Sequence, residues 1–311
     1  LAVSFGIYQT RPKRRPDERT PDFCAAKVSS NVIAVAISRV LVLGSGYAGS
    51  AAARCARASG LDVLVTVRSD ARAEALRADG FRVLQAPGLD AGVVAHIDGA
   101  THVVVAFQPD PETDAIVARA LRGAHSSAYV SSTGVYGNLT GHIDDTTPLP
   151  EFPDARAQKI LSAEAQYRSA GSTILRCPGI YGPDRGLHLR VLRGEHRIPG
   201  KGEGFLSRIH IDDLARFALA AADAASSTFV VGDSEPARHI DVVRFICDAY
   251  GVPLPESVPE GSVHASLRAD RRIDATRAST LLGVELGYPT YREGMAPAVT
   301  GIPPRHLAPV F

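Results

Sequence analysis

The stretch Arg39-Val40-Leu41-Val42-Leu43-Gly44-Ser45-Gly46-Tyr47-Ala48-Gly49 decides how the rest of the chain is read. After Arg39 it opens as an unbroken Val/Leu run, the pattern of a parallel strand covered on both faces. The next six residues fit Gly-x-Gly-x-x-Gly, and an alanine-rich helix over 47–59, ended by Gly60, follows. Each glycine has its own task. Gly44 permits the tight turn, Gly46 lets backbone approach a diphosphate, and Gly49 lets helix and sheet pack closely. Free N–H groups at the helix start, at the positive end of its dipole, favour phosphate. Strand, loop and helix together predict a dinucleotide site formed by Gly44, Ser45, Gly46, Tyr47, Ala48 and Gly49.

Outward from this loop, strands and helices alternate. Strands are expected at 62–67, 81–84, 101–107, 127–131 and 173–176, with helices at 71–78, 114–122 and about 154–170. Such alternation implies right-handed crossovers and a Rossmann-type, doubly wound parallel α/β sheet. Beyond residue 180 glycine and proline are frequent. Helices are expected there at 213–223 and 240–250, with a short strand at 228–231. The chain therefore divides into an extension (1–37), an NAD(P)-binding domain (38–180) and a substrate-side region (181–311) partly interleaved with the sheet.

The end of the second strand bears on which cofactor is held. NAD binders usually place Asp or Glu there for the ribose hydroxyls, whereas this chain has Val67-Arg68-Ser69. A guanidinium and a hydroxyl suit a 2′-phosphate, so NADP is favoured over NAD. Phe107, at the end of the fourth strand, joins Arg68 and Ser69 in the cofactor-binding set.

Composition sets the outer bounds. Of the 311 residues, 45% are hydrophobic, and the net charge of +1 provides no global field toward nucleic acid or a membrane surface. No apolar run reaches the roughly 18 residues of a membrane span. Cys24, Cys55, Cys177 and Cys247 form no CxxC pair, which points to free thiols in a reducing cytoplasm. The histidines show no HxxxH or HExxH spacing, so no metal site is expected. The basic, proline-bearing cluster 11–16 cannot bury enough apolar surface to offset its ordering entropy. Its acidic neighbours Asp17, Glu18 and Asp22 argue against a mitochondrial leader, and no secretory apolar stretch accompanies it. The chain starts on Leu1, so this segment is expected to be an artefactual or upstream addition to the fold.

Three further motifs follow the glycine loop in order. They are Ser131-Ser132-Thr133-Gly134-Val135-Tyr136-Gly137, then Leu175 to Pro183 (LRCPGIYGP), then His210-Ile211-Asp212-Asp213-Leu214. With the glycine loop, over about residues 39–290, they resemble the extended short-chain dehydrogenase/reductase family, its NAD-dependent epimerase/dehydratase group. The resemblance implies that Ser132 hydrogen-bonds the reacting substrate oxygen. It also implies that Pro178, Ile180 and Tyr181 line the substrate and nicotinamide pocket. The family's Tyr-x-x-x-Lys exchanges a proton with the substrate while the Lys holds the ribose and lowers the Tyr pKa. Here the Lys of the following helix is Lys159, and four residues earlier stands Ala155, not Tyr. Tyr136, four residues after Ser132, and Tyr181 are the candidate replacements. The arginine that commonly precedes the histidine motif by four residues is replaced by Leu206. Arg208, two residues before His210, is the alternative substrate-binding cation, and His210 itself reads as structural.

Two functions follow. One is epimerase, dehydratase or reductase chemistry by hydride transfer on a sugar-like or other hydroxylated small molecule. The other is non-catalytic NADP(H) binding or redox sensing, favoured by the missing Tyr. The resemblance also implies a homodimer through a helical face.

Overall fold

The computed structural model describes residues 37–296, save 87, 90, 264–266 and 269. All but the last residue of the expected extension, with Cys24, therefore lies outside the described residues. A central sheet of seven parallel strands carries the fold. In chain order its elements are β1 (Arg39–Leu43), α1 (Tyr47–Ala58), β2 (Asp62–Val67), α2 (Asp70–Ala78), β3 (Arg82–Gln85), β4 (Thr101–Val105), α3 (Pro111–Leu121), β5 (Ser126–Ser132), α4 (Ala155–Ser169), β6 (Thr173–Cys177), α5 (Ile211–Ala220) and β7 (Thr228–Val230). The spatial order is β7-β6-β5-β4-β1-β2-β3. The order reverses between β1 and β4, the place where doubly wound sheets bind ligands at the carboxyl ends of their strands.

The strands read as continuous apolar runs because both sheet faces are covered. Val40 and Val42 point toward α1 and α5, in a core with Ala52, Ala53, Leu214 and Phe217. Leu41 and Leu43 point the other way, into a core with Val117, Leu121 and Tyr167 of α3 and α4. Each such side chain, fully withdrawn from water, contributes about 1.5–3 kcal/mol of transfer free energy. The alanines of α1 let it approach both β1 and α5, which are among its neighbours. Local chemistry sets the helix starts. Asp110 accepts from Thr113 N ahead of Pro111 in α3, and Asp154 accepts from Ala157 N at 2.7 Å in α4.

The short strand expected after residue 228 is the outer strand of the main sheet, paired with β6 from Thr228↔Ile174 to Val230↔Arg176. His102 of β4 is fully buried and links three elements. Its ring nitrogens meet Ser126 Oγ at 2.8 Å and the Ala218 carbonyl at 2.9 Å. The remainder of the later chain builds a smaller core from Tyr181, Val191, Ile198, Val242, Val243 and Ile246, among others. Its main helix is α6 (His239–Tyr250). Among the described residues no helix is long and apolar enough to cross a membrane, and no group of side chains could hold a metal ion.

Candidate active site at the strand ends

The glycine loop is a backbone surface. Gly44 has φ +96°, and a Cβ there would sit 3.0 Å from the Ala106 carbonyl oxygen and 3.1 Å from Phe107 Cβ. Phe107 lies beyond the end of β4 and closes the underside of the loop. A Cβ on Gly49 would fall 1.9 Å from the Gly44 carbonyl oxygen, so only glycine fits. Gly46 has nothing within 4 Å on its open side. That is the face a diphosphate would meet, with the first N–H groups of α1 unsatisfied beneath it. Gly44 N donates to Thr66 Oγ1 at 3.0 Å, which ties the turn to β2. Tyr47 is half-buried with its hydroxyl enclosed, and burial pushes its pKa up to about 12.

At the end of β2, Arg68 and Ser69 are both exposed. The structure adds a residue that the sequence reading missed. Arg72, one helical turn after Arg68, donates to the Ser45 carbonyl at 3.1 Å and to Ser50 Oγ at 2.7 Å. It thus lies against the glycine loop itself. The neighbouring carboxylate, Asp70, is held by Gln85 Nε2 at 2.5 Å.

The end of β5 forms the other side of the cleft. Ser132 Oγ accepts from Gly134 N at 3.0 Å and caps a short turn over Thr133–Tyr136. Arg271 reaches in from far along the chain. It donates to the Thr133 carbonyl at 3.0 Å and the Leu139 carbonyl at 2.8 Å, and also to that of Gly137. Beneath the turn lies a buried ion pair. Arg176 Nη2 meets Glu164 Oε2 at 2.7 Å, and Ser131 Oγ donates to Glu164 Oε1 at 2.6 Å.

That network encloses Tyr136. Its side chain is wholly buried, and its hydroxyl accepts from Arg176 at 3.1 Å and donates to the Asp144 carbonyl at 3.3 Å. Burial raises its pKa, against the opposing pull of the Arg176 guanidinium. Tyr181 is also buried. It donates to the Thr290 carbonyl at 3.4 Å and is packed so tightly on Gly294 that a Cβ there would overlap the ring. Both phenols are buried. Pro178 and Ile180 are only half-buried beside them. Arg208 is buried rather than presented to the cleft. Its Nη2 donates to the Leu206 carbonyl at 2.9 Å, and Asp233 lies 3.9 Å from Nη1. His210 accepts from Asp212 N at 3.3 Å as the cap of α5 and stacks on Tyr288 at 3.5 Å. Burial pushes its pKa down to about 3 and keeps it neutral.

Helix α4 corrects the expected register. Lys159 and Ala155 are exposed. Ala157, Ile160, Ala163, Glu164 and Tyr167 form the buried face. The pair aimed at the β5 turn is one residue later, Arg156 and Ile160, spaced i, i+4 on one face. A Cβ on Gly134 would lie 3.2 Å from Ile160 Cδ1, 3.2 Å from Ser132 Oγ and 3.9 Å from Arg156 Nε. Among the described residues Arg156 has no hydrogen-bond or ion-pair partner.

No family model matches the chain. It is 28% identical to a 3-diazoavenalumate denitrifying reductase of a Streptomyces species, over 83% of this chain and 99% of that one. Among solved structures, a functionally unknown conserved protein of Silicibacter pomeroyi DSS superposes with a TM-score of 0.72 at 29% identity, covering 83% of this chain and 96% of the other. The UDP-glucuronic acid 4-epimerase of Bacillus cereus, solved with NAD, gives a TM-score of 0.65 at 18% identity with the same coverages. The chain has the Rossmann-type fold of these proteins and is similar to the NAD-dependent epimerase/dehydratase group and to a reductase. The i, i+4 positions that face Ser132 hold the guanidinium of Arg156 and the sec-butyl side chain of Ile160. A phenol and an ammonium would be needed there to exchange a proton in the family's usual way.

Proposed function

We propose that the chain is an NADP(H)-dependent reductase acting on a small molecule. The carrying observation is Arg72 lying against a glycine loop whose Gly46 side is open, with Arg68 and Ser69 exposed just beyond the end of β2. The carboxylate next to Ser69, Asp70, stands in the first turn of α2 and accepts a hydrogen bond from Gln85. Two guanidinium groups and a hydroxyl suit a 2′-phosphate, and charge-assisted bonds of this type are the stronger class. Bound NADPH would supply a hydride from its nicotinamide ring to the substrate. The protein's part is to grip the diphosphate on the α1 amides and to present Ser132 to the substrate. The reductive direction draws support from the Streptomyces relative, a reductase by name.

Calorimetry with NADPH, NADP+, NADH and NAD+ tests this reading. NADPH is expected to bind about ten- to a hundredfold more tightly than NADH. Arg68→Ala and Arg72→Ala are each expected to erode that preference while leaving NADH affinity unchanged. Equal binding of the phosphorylated and unphosphorylated dinucleotides would overturn it. A second reading, redox sensing without turnover, draws on the burial of Tyr136 and Tyr181. It predicts different affinities for NADP+ and NADPH and no NADPH consumption with any substrate.

A further inference from the structure

Arg156 is the polar side chain on α4 that faces the Ser132 turn and is left without a partner. Its Nε and Ser132 Oγ both lie within 4 Å of one point beside Gly134. Ile160, one helical turn on, closes the apolar floor of that spot at 3.2 Å from the same point. The turn is held in place from behind by Arg271, whose guanidinium is occupied by backbone carbonyls. Arg156 is therefore the cation at this place that remains available to a ligand.

A guanidinium presents only N–H donors and no acceptor, so Arg156 does not replace a phenol in kind. It offers a planar fork of N–H donors that matches the two oxygens of a carboxylate. The acid–base pair of the fold has thus given way to a fixed cation above an apolar residue. That pairing suits a substrate with an apolar body and an anionic end.

We infer that Arg156 is a specificity-determining residue: its guanidinium takes a carboxylate of the substrate, beside the Ser132 hydroxyl and over Ile160. This deepens the reading of the site as an NADPH-dependent reductase and rests on it for the placement of the substrate. Ser132 then addresses the reacting end, and Arg156 sets which molecules arrive with that end in register.

The test is binding rather than turnover. The full chain, saturated with NADPH, is titrated by calorimetry with benzoate, cinnamate and pyruvate, and separately with the amide of each. At least one acid is expected to bind about tenfold or more tightly than its own amide, as a charge-assisted fork should. Arg156→Gln is expected to abolish that preference, and Arg156→Lys to restore part of it by charge without the fork. Both variants should bind NADPH as the native chain does. Arg156 is exposed and unpaired, so these substitutions carry no folding penalty from a broken contact. Acids and amides that bind alike, or none that bind, or a preference that survives Arg156→Gln, would each overturn the inference. If NADPH fails to bind while the acid preference persists and depends on Arg156, the cofactor reading falls and the carboxylate site stands.

Discussion

At the β1–α1 end of the cleft the binding surface is backbone, and at the β5–α4 end it is side chain. The loop of Gly44, Gly46 and Gly49 offers amides and open space, and almost any side chain there would collide or block. The β5 turn offers one hydroxyl and one guanidinium, set in place by a buried ion pair below and by Arg271 behind. The contrast teaches how the two ends can change. A backbone site keeps its grip on a diphosphate as long as the glycines remain, and the side chains around it tune only which dinucleotide is preferred. A side-chain site changes its chemistry with one or two substitutions on the same scaffold. Helix α4 presents Arg156 and Ile160 where the resemblance implies a phenol and an ammonium.

Four variants probe this contrast. The largest effect is expected from Glu164→Gln, which leaves Arg176 buried without its counter-charge. Removing one partner of such a pair costs about 3–5 kcal/mol, to be read from urea unfolding. The folded fraction should still bind NADPH, because the damage is confined to the β5 end. Next is Gly49→Ala, which drives a methyl into the Gly44 carbonyl. Overpacking against backbone predicts a loss of about 3 kcal/mol and, unlike Glu164→Gln, the loss of dinucleotide binding. Third, Arg68→Ala and Arg72→Ala together should weaken NADPH by about 2–3 kcal/mol with little change in melting temperature. The smallest effect is Ser132→Ala. Loss of the turn cap should cost about 1 kcal/mol, and any NADPH oxidation should slow while cofactor affinity holds. If Ser132→Ala instead disturbed NADPH binding, the separation of the two ends would break down.

The same contrast explains what could be read from the sequence. The glycine loop was legible because its residues are dictated by local backbone geometry, and a strand and helix flank it on either side. Six strands of the sheet were legible, most directly where burial on both faces leaves Val/Leu runs such as Val40–Leu43, whereas nothing in the sequence assigned the short strand at 228–231 to the sheet's outer edge. The register of α4 was not. Lys159 drew the reading because it is the lysine on the helix, yet packing decides which face turns inward. The signal lay in Ala157, Ile160, Glu164 and Tyr167, whose three- and four-residue spacing marks the buried face and leaves Lys159 off it. The burial of Tyr136 could not be foreseen either. It depends on Arg176 and the Asp144 carbonyl, the one on a neighbouring strand and the other beyond the turn. Arg72 was missed because its contact with Ser45 crosses from α2 to a loop some 27 positions earlier.

The outermost strand of the sheet comes from Thr228–Val230, and the helix packed on α1 comes from Ile211–Ala220. The nucleotide half is therefore not a detachable piece. A polypeptide cut after residue 180 would leave the outer side of Thr173–Cys177 unpaired and the alanine-rich flank of the first helix open to water. On the ribosome, closure of this half must wait until roughly three quarters of the chain has emerged. Shortened versions meant to isolate it are expected to aggregate rather than fold.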